Sequence, residues 1–91
     1  MEVVPRRSYV QPFSGTKKEF GVVLRNLRKE RGLTQSALAL EAGLTRVYIG
    51  FVECGVRGPT LPILEQIAAA LGMKASEMLQ CLEASREKPP T

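Results

Sequence analysis

The tightest constraint on this chain lies in residues 34–52, TQSALALEAGLTRVYIGFV. Thr34 and Thr45 are each placed to cap a helix, because a threonine hydroxyl can accept from a free backbone N–H of the first turn. Gly43 stops the first helix, and Thr45 opens the second almost at once. Two helices this short, joined by so few residues, must cross steeply. Ala39 is small where the two backbones approach, and Gly43 supplies the positive φ that the turn requires. Leu44 is set to plug the gap below the turn. Leu38, Ala39 and Ala42 give the first helix its apolar face, and Ile49 and Val52 anchor the second.

The flanking segments predict three more helices. Thr16 and Glu19 have the Thr-x-x-Glu spacing of a capping box. Phe20, Val23, Leu24 and Leu27 then repeat at helical spacing until Gly32 ends the run. The segment CGVRGP is a loop, with two glycines and a proline in six residues. Thr60 caps a helix whose buried stripe is Leu61, Leu64, Ile67, Ala68 and Leu71, with Pro62 tolerated in its first turn. Gly72 closes it. Ser76 opens a final short helix carrying Met78, Leu79 and Leu82. No run alternates as a strand does, so the expectation is an all-α fold, a compact five-helix domain. Residues 1–15 read as an irregular arm, 16–83 as the domain, with its helix-turn-helix at 34–53, and 84–91 as a polar, proline-terminated tail. Small residue, glycine, then branched apolar residue is the mechanical requirement of a helix-turn-helix. Its second helix projects outward, with its N-terminal part free to enter a major groove.

Composition narrows the functional classes. Residues 1–33 hold eight Lys/Arg against three Glu, residues 34–72 two against three, and residues 73–91 three against three. The excess of cations is therefore N-terminal, and it favours a polyanionic partner. Histidine, the commonest general base, is absent. No glycine-rich phosphate loop follows a strand. Glu19, Glu30, Glu41, Glu53, Glu65 and Glu77 are scattered through helices without pairing, so no enzyme is expected. Cys54 and Cys81 are too few and too isolated for a disulfide scaffold or a metal site, so neither metal nor cofactor is expected. They suit a reducing compartment. No signal peptide and no apolar run of about 18 residues are read, so the expected location is cytoplasmic, without membrane or small-molecule partner.

Three stretches, FGVVLRNLRKERGLTQ, ALALEAGLTRVYI and PTLPILEQIAAALGM, give the chain over roughly residues 19–82 a likeness to a known family. It resembles the lambda-repressor-like family of helix-turn-helix regulators, also called Cro/C1 or XRE type. Its short length and single domain look most like stand-alone regulators such as restriction–modification controller proteins. The resemblance implies a DNA-binding transcription regulator, often a repressor, acting as a homodimer on double-stranded DNA. It implies that Gln35 contacts phosphate and braces the recognition helix. Thr45 starts that helix, and Arg46, Val47 and Gly50 occupy its outward positions facing base edges. Tyr48 matches a residue near the DNA backbone or a flexible base step. Arg57 and the helix N-terminus at Thr60 match a phosphate clamp, as free N–H groups and a positive dipole end suit phosphate. Arg28 and Glu53 match a family ion pair that braces the recognition helix.

The chain departs from the family pattern where Val47, Gly50 and Cys54 replace residues that are commonly Ser or Thr, Ser, and Arg. Each change removes hydrogen-bonding capacity. Direct readout then rests mainly on Arg46, which can bond a guanine bidentately, while Val47 can touch a thymine methyl. The same depletion keeps an alternative open: a protein-binding module, antitoxin or adaptor, on the same fold. For a dimer, the expected interface is the last helix, through Met78, Leu79 and Leu82.

Overall fold

A computed structural model describes residues 15–87 of the chain. Within them lie α1 (Thr16–Glu30), α2 (Gln35–Ala42), α3 (Arg46–Glu53), α4 (Leu61–Ala70) and α5 (Ala75–Glu87). No strand occurs among the described residues. Three of the starts are made by threonine. The hydroxyls of Thr34, Thr45 and Thr60 accept from the backbone N–H groups of Ala37 at 3.0 Å, Tyr48 at 3.1 Å and Ile63 at 3.4 Å. Each satisfies one donor that the first turn of a helix leaves without a partner.

Gly43 ends α2 in the left-handed region, at φ 73° and ψ 31°. The N–H of Leu44 then folds back to the carbonyl of Ala39 at 2.9 Å. This wraps the chain around the end of α2 and starts α3 at a steep angle. A side chain from α4 holds the turn: Gln66 Nε2 donates to the Ala42 carbonyl at 2.9 Å.

The core forms where the apolar faces of all five helices meet. Leu24, Leu38, Ile49, Val52, Ile67 and Met78 are fully buried, and Leu44 packs against them from the turn. α3 packs on α1 and α2, α4 packs on α2, and α5 closes the bundle against α1 and α4. α3 is thus held on one side only, and its other side is left on the surface.

Four expectations are corrected. Thr16 and Glu19 do not form a capping box. α1 starts at Thr16 with Gly15 at its N-cap and no side-chain cap bond. Arg86 of α5 engages both residues instead, its Nε donating to Glu19 Oε1 at 2.8 Å and its Nη2 to Thr16 Oγ1 at 3.1 Å. A charge-assisted bond across the fold outcompetes the local cap here. Second, the last helix is not short. It runs through Glu87, past the boundary expected at residue 84, because Arg86 is tied back to α1. A helix start is set at Lys74, whose N–H donates to Glu77 Oε1 at 2.7 Å, two residues before Ser76. Third, Leu61 is not part of the buried stripe of α4. It is 74% exposed, because it sits at the rim of an open cleft between α1 and α5 rather than inside the core. Fourth, Met78 and Leu82 belong to the monomer core, at 0% and 5% exposure, so they are not an interface. α5 turns them inward into the core cluster that also holds Phe20 and Leu64, and only Leu79 of that trio reaches the surface. Readings placed on residues 1–14 and 88–91, the arm among them, lie outside the described residues.

Candidate nucleic-acid interface

The outer side of α3 carries the sequence-predicted contact residues. Thr45, Arg46 and Val47 are exposed, and Gly50 is half-buried. Tyr48 is also half-buried and packs against the core, so its ring supports α3. Phe51 is 43% exposed on the same short helix. Arg57 is exposed in the loop after α3, and Thr60 is exposed at the N-cap of α4. Gln35 is the first residue of α2, half-buried beside Gly50. The structure therefore brings the start of α2 and the start of α3 together, with Arg57 and Thr60 exposed in the segment that follows α3.

A chain of polar side chains connects the interior to this surface. Arg28 of α1 is 8% exposed. It grips Glu53 with two bonds, Nε to Oε2 at 2.6 Å and Nη2 to Oε1 at 3.1 Å, and its Nη1 donates to the Leu33 carbonyl at 2.7 Å. This fork-to-carboxylate geometry is the strong, direction-fixing form of an ion pair. Glu53 Oε1 also accepts from Gln35 Nε2 at 3.0 Å, which fixes the orientation of the carboxamide. Gln35 Oε1 then faces outward and accepts from Arg46 Nη1 at 3.0 Å. A buried pair between α1 and α3 thus orients an exposed guanidinium through Gln35. The remaining donors of Arg46 are open to a partner with acceptor groups. No buried side-chain polar atom among the described residues lacks a partner.

Gly21 carries a role that the helix-turn-helix motif does not indicate. A Cβ there would lie 2.5 Å from the backbone oxygens of both Val52 and Glu53. Glycine lets α1 meet the end of α3 backbone to backbone, and this sets the seat of the whole outer helix. The available signal in the sequence is a lone glycine within the apolar period of α1, where glycine weakens a helix unless packing requires it. No group of three or more potential metal-binding side chains occurs among the described residues. No described helix is long and apolar enough to cross a membrane.

A short helix held on one side, projected by a glycine turn and flanked by two further helix starts, defines a helix-turn-helix DNA-binding domain of the lambda-repressor-like fold. The family model described as helix-turn-helix matches residues 24–78, and the chain belongs to this family of XRE-type, DNA-binding transcription regulators. It is 40% identical over 68 residues to the control protein C.MunI from Mycoplasma sp, a match covering 74% of this chain and 92% of that protein. Among solved structures, it matches the restriction–modification controller protein C.AhdI from Aeromonas hydrophila. The TM-score is 0.68 at 40% identity, over 69% of this chain and 96% of that one. The wild-type restriction–modification controller protein C.Esp1396I matches with TM-score 0.77 at 28% identity, over 85% and 99% of the two chains. All three are control or controller proteins, and each match spans nearly the whole of the relative, 92%, 96% and 99%.

Proposed function

We propose that this protein binds duplex DNA as a homodimer, with α3 of each protomer in the major groove, and regulates transcription from the bound site. The observation that carries this reading is the relay from Arg28 through Glu53 and Gln35 to Arg46. A guanidinium held in one direction on an exposed helix suits bidentate recognition of guanine. Gln35 and Thr45, at the starts of α2 and α3, flank that helix. Arg57 and the N-terminus of α4 at Thr60 form the phosphate clamp.

Gly50 supports the same face. A Cβ there would meet only Gln35 Oε1, at 3.8 Å, which is ordinary contact. Nothing within the protein requires glycine at this helical position, and its missing Cβ lets a DNA strand come closer to α3. Gly50→Ala is therefore expected to raise the unfolding free energy by about 0.5–1 kcal/mol while weakening DNA binding. Urea unfolding and gel-shift titration on one preparation check both signs. A stabilised variant with unchanged affinity removes Gly50 from the interface.

The proposed dimer contact runs through Leu79, which is 40% exposed and lines an apolar cleft with Leu61. Leu79→Glu is expected to leave the fold intact and to give monomers in sedimentation at micromolar concentration. A dimer that persists places the interface elsewhere.

The reading as a whole is tested by selecting bound duplexes from a random DNA pool. The expected product is an inverted repeat whose half-site centres lie about 34 Å apart, one helical turn. A pool that enriches nothing overturns sequence-specific regulation and favours a protein-binding role for the same surface.

A further inference from the structure

The first turn of α1 contains a feature that helix stability does not account for. Lys17 and Lys18 are exposed there, in a helix whose N-cap makes no side-chain bond. Cations at a helix N-terminus oppose the positive end of its dipole and the N–H groups left free there. Neither lysine takes part in an ion pair among the described residues. Glu19, next in sequence, and Glu53, just before the loop after α3, are already engaged, by Arg86 and by Arg28. A local rule broken without a compensating ion pair points to a function.

Their position identifies that function. Both lysines lie against the loop between α3 and α4. A Cβ on Gly55 would come within 2.6 Å of Lys18 Cγ and 2.9 Å of its Cα, and one on Gly58 within 3.2 Å of Lys17 Cγ. Between those two glycines stands Arg57, exposed, and two residues beyond Gly58 stands Thr60 at the start of α4. The glycines allow α1 to approach so closely that the lysine stems rest on the loop. Long cationic side chains bury their stems and keep their charged ends in solvent. The first turn of α1 and the loop after α3 therefore present three cations on one edge, without a carboxylate in the loop segment CGVRGPT.

We propose that Lys17 and Lys18 extend the phosphate-binding surface, contacting the DNA backbone beside Arg57 on the flank of the groove that α3 enters. This rests on the DNA-binding reading above and adds two residues to it. The contacts are made to phosphate and carry no sequence information.

The test uses the full chain with Lys17→Gln and Lys18→Gln combined, and duplex DNA recovered from the random-pool selection. Affinity is titrated over a series of salt concentrations. Removing one cation from a phosphate lowers the slope of log affinity against log salt by about 0.9. The double variant is expected to reduce the slope by about 1.8 per protomer on that constant, with the selected sequence unchanged. Its melting temperature is expected to equal or exceed that of the native chain, because the first-turn cations are gone. Lys17→Arg with Lys18→Arg restores the slope. An unchanged slope in the glutamine variant, with the native chain still binding, overturns the assignment of the lysines alone. A lowered melting temperature with an unchanged slope does the same and assigns them to packing. Absence of binding by the native chain overturns the DNA-binding reading beneath it.

Discussion

Glu53→Ala is expected to lower the unfolding free energy by about 4 kcal/mol, within the 3–5 kcal/mol typical of breaking a buried ion pair. The Arg28 and Glu53 side chains are only 10% and 4% exposed. Removing the carboxylate leaves a guanidinium charge that water reaches poorly, and Arg28 keeps only its bond to the Leu33 carbonyl. Gln35 loses the acceptor for its Nε2 at the same time. The cost is the uncompensated charge rather than the worth of the pair. Arg28→Met combined with Glu53→Met is accordingly expected to recover most of the loss. Urea unfolding of Arg28→Met, Glu53→Met and the double variant forms a thermodynamic cycle that measures the coupling. Additive losses would show that the pair does not act as a unit. DNA recognition separates from stability in this series: the apolar double variant folds, but it no longer orients Gln35, and so it loses the direction imposed on Arg46.

The second large effect is at Gly21. Gly21→Ala inserts one carbon 2.5 Å from two backbone oxygens. Backbone cannot swing aside as a side-chain tip can, so the expected cost is at the upper end of overpacking, about 3 kcal/mol. Alanine's better helix propensity returns about 1 kcal/mol. The net loss is about 2 kcal/mol, and in a domain of this size it shifts the melting temperature by about 8–16 °C. The same replacement at Gly50 is expected to have the opposite sign, and the pair of variants measured together by thermal unfolding tests the structural distinction. If Gly21→Ala is neutral, α1 and α3 do not meet as closely as the structure indicates. The change also moves α3 outward relative to α1, so DNA affinity is expected to fall even at temperatures where the variant is fully folded.

Much of the fold was legible in the chain because its signals are local. The threonines at 34, 45 and 60 act on N–H groups three residues away. Gly43 ends α2 through its own φ. The spacing of Ala39, Gly43 and Ile49 describes a turn that needs nothing from the rest of the molecule, and the resemblance of residues 19–82 to a known family followed from that same stretch and its flanks. The family resemblance also named Arg28 and Glu53 as a pair, and the structure contains that pair.

The exceptions share a different character. Thr16 and Glu19 have capping-box spacing, yet they bond a residue 67 to 70 positions away. Met78, Leu79 and Leu82 are equally apolar in the sequence, and only the placement of α5 against α1 and α4 decides that two are core and one is surface. Gly21 looks like a weakness in α1 until α3 is laid against it.

The all-α class, the order of five helices and the turn that projects α3 are written into local stretches of the chain, since capping, glycine conformation and apolar period act within a few residues. Helix packing sets which face of α5 is buried, how Gln35 divides its carboxamide between Glu53 and Arg46, and why α1 carries glycine at its crossing with α3. These depend on distances between segments far apart in the chain, and such distances are set when the helices pack.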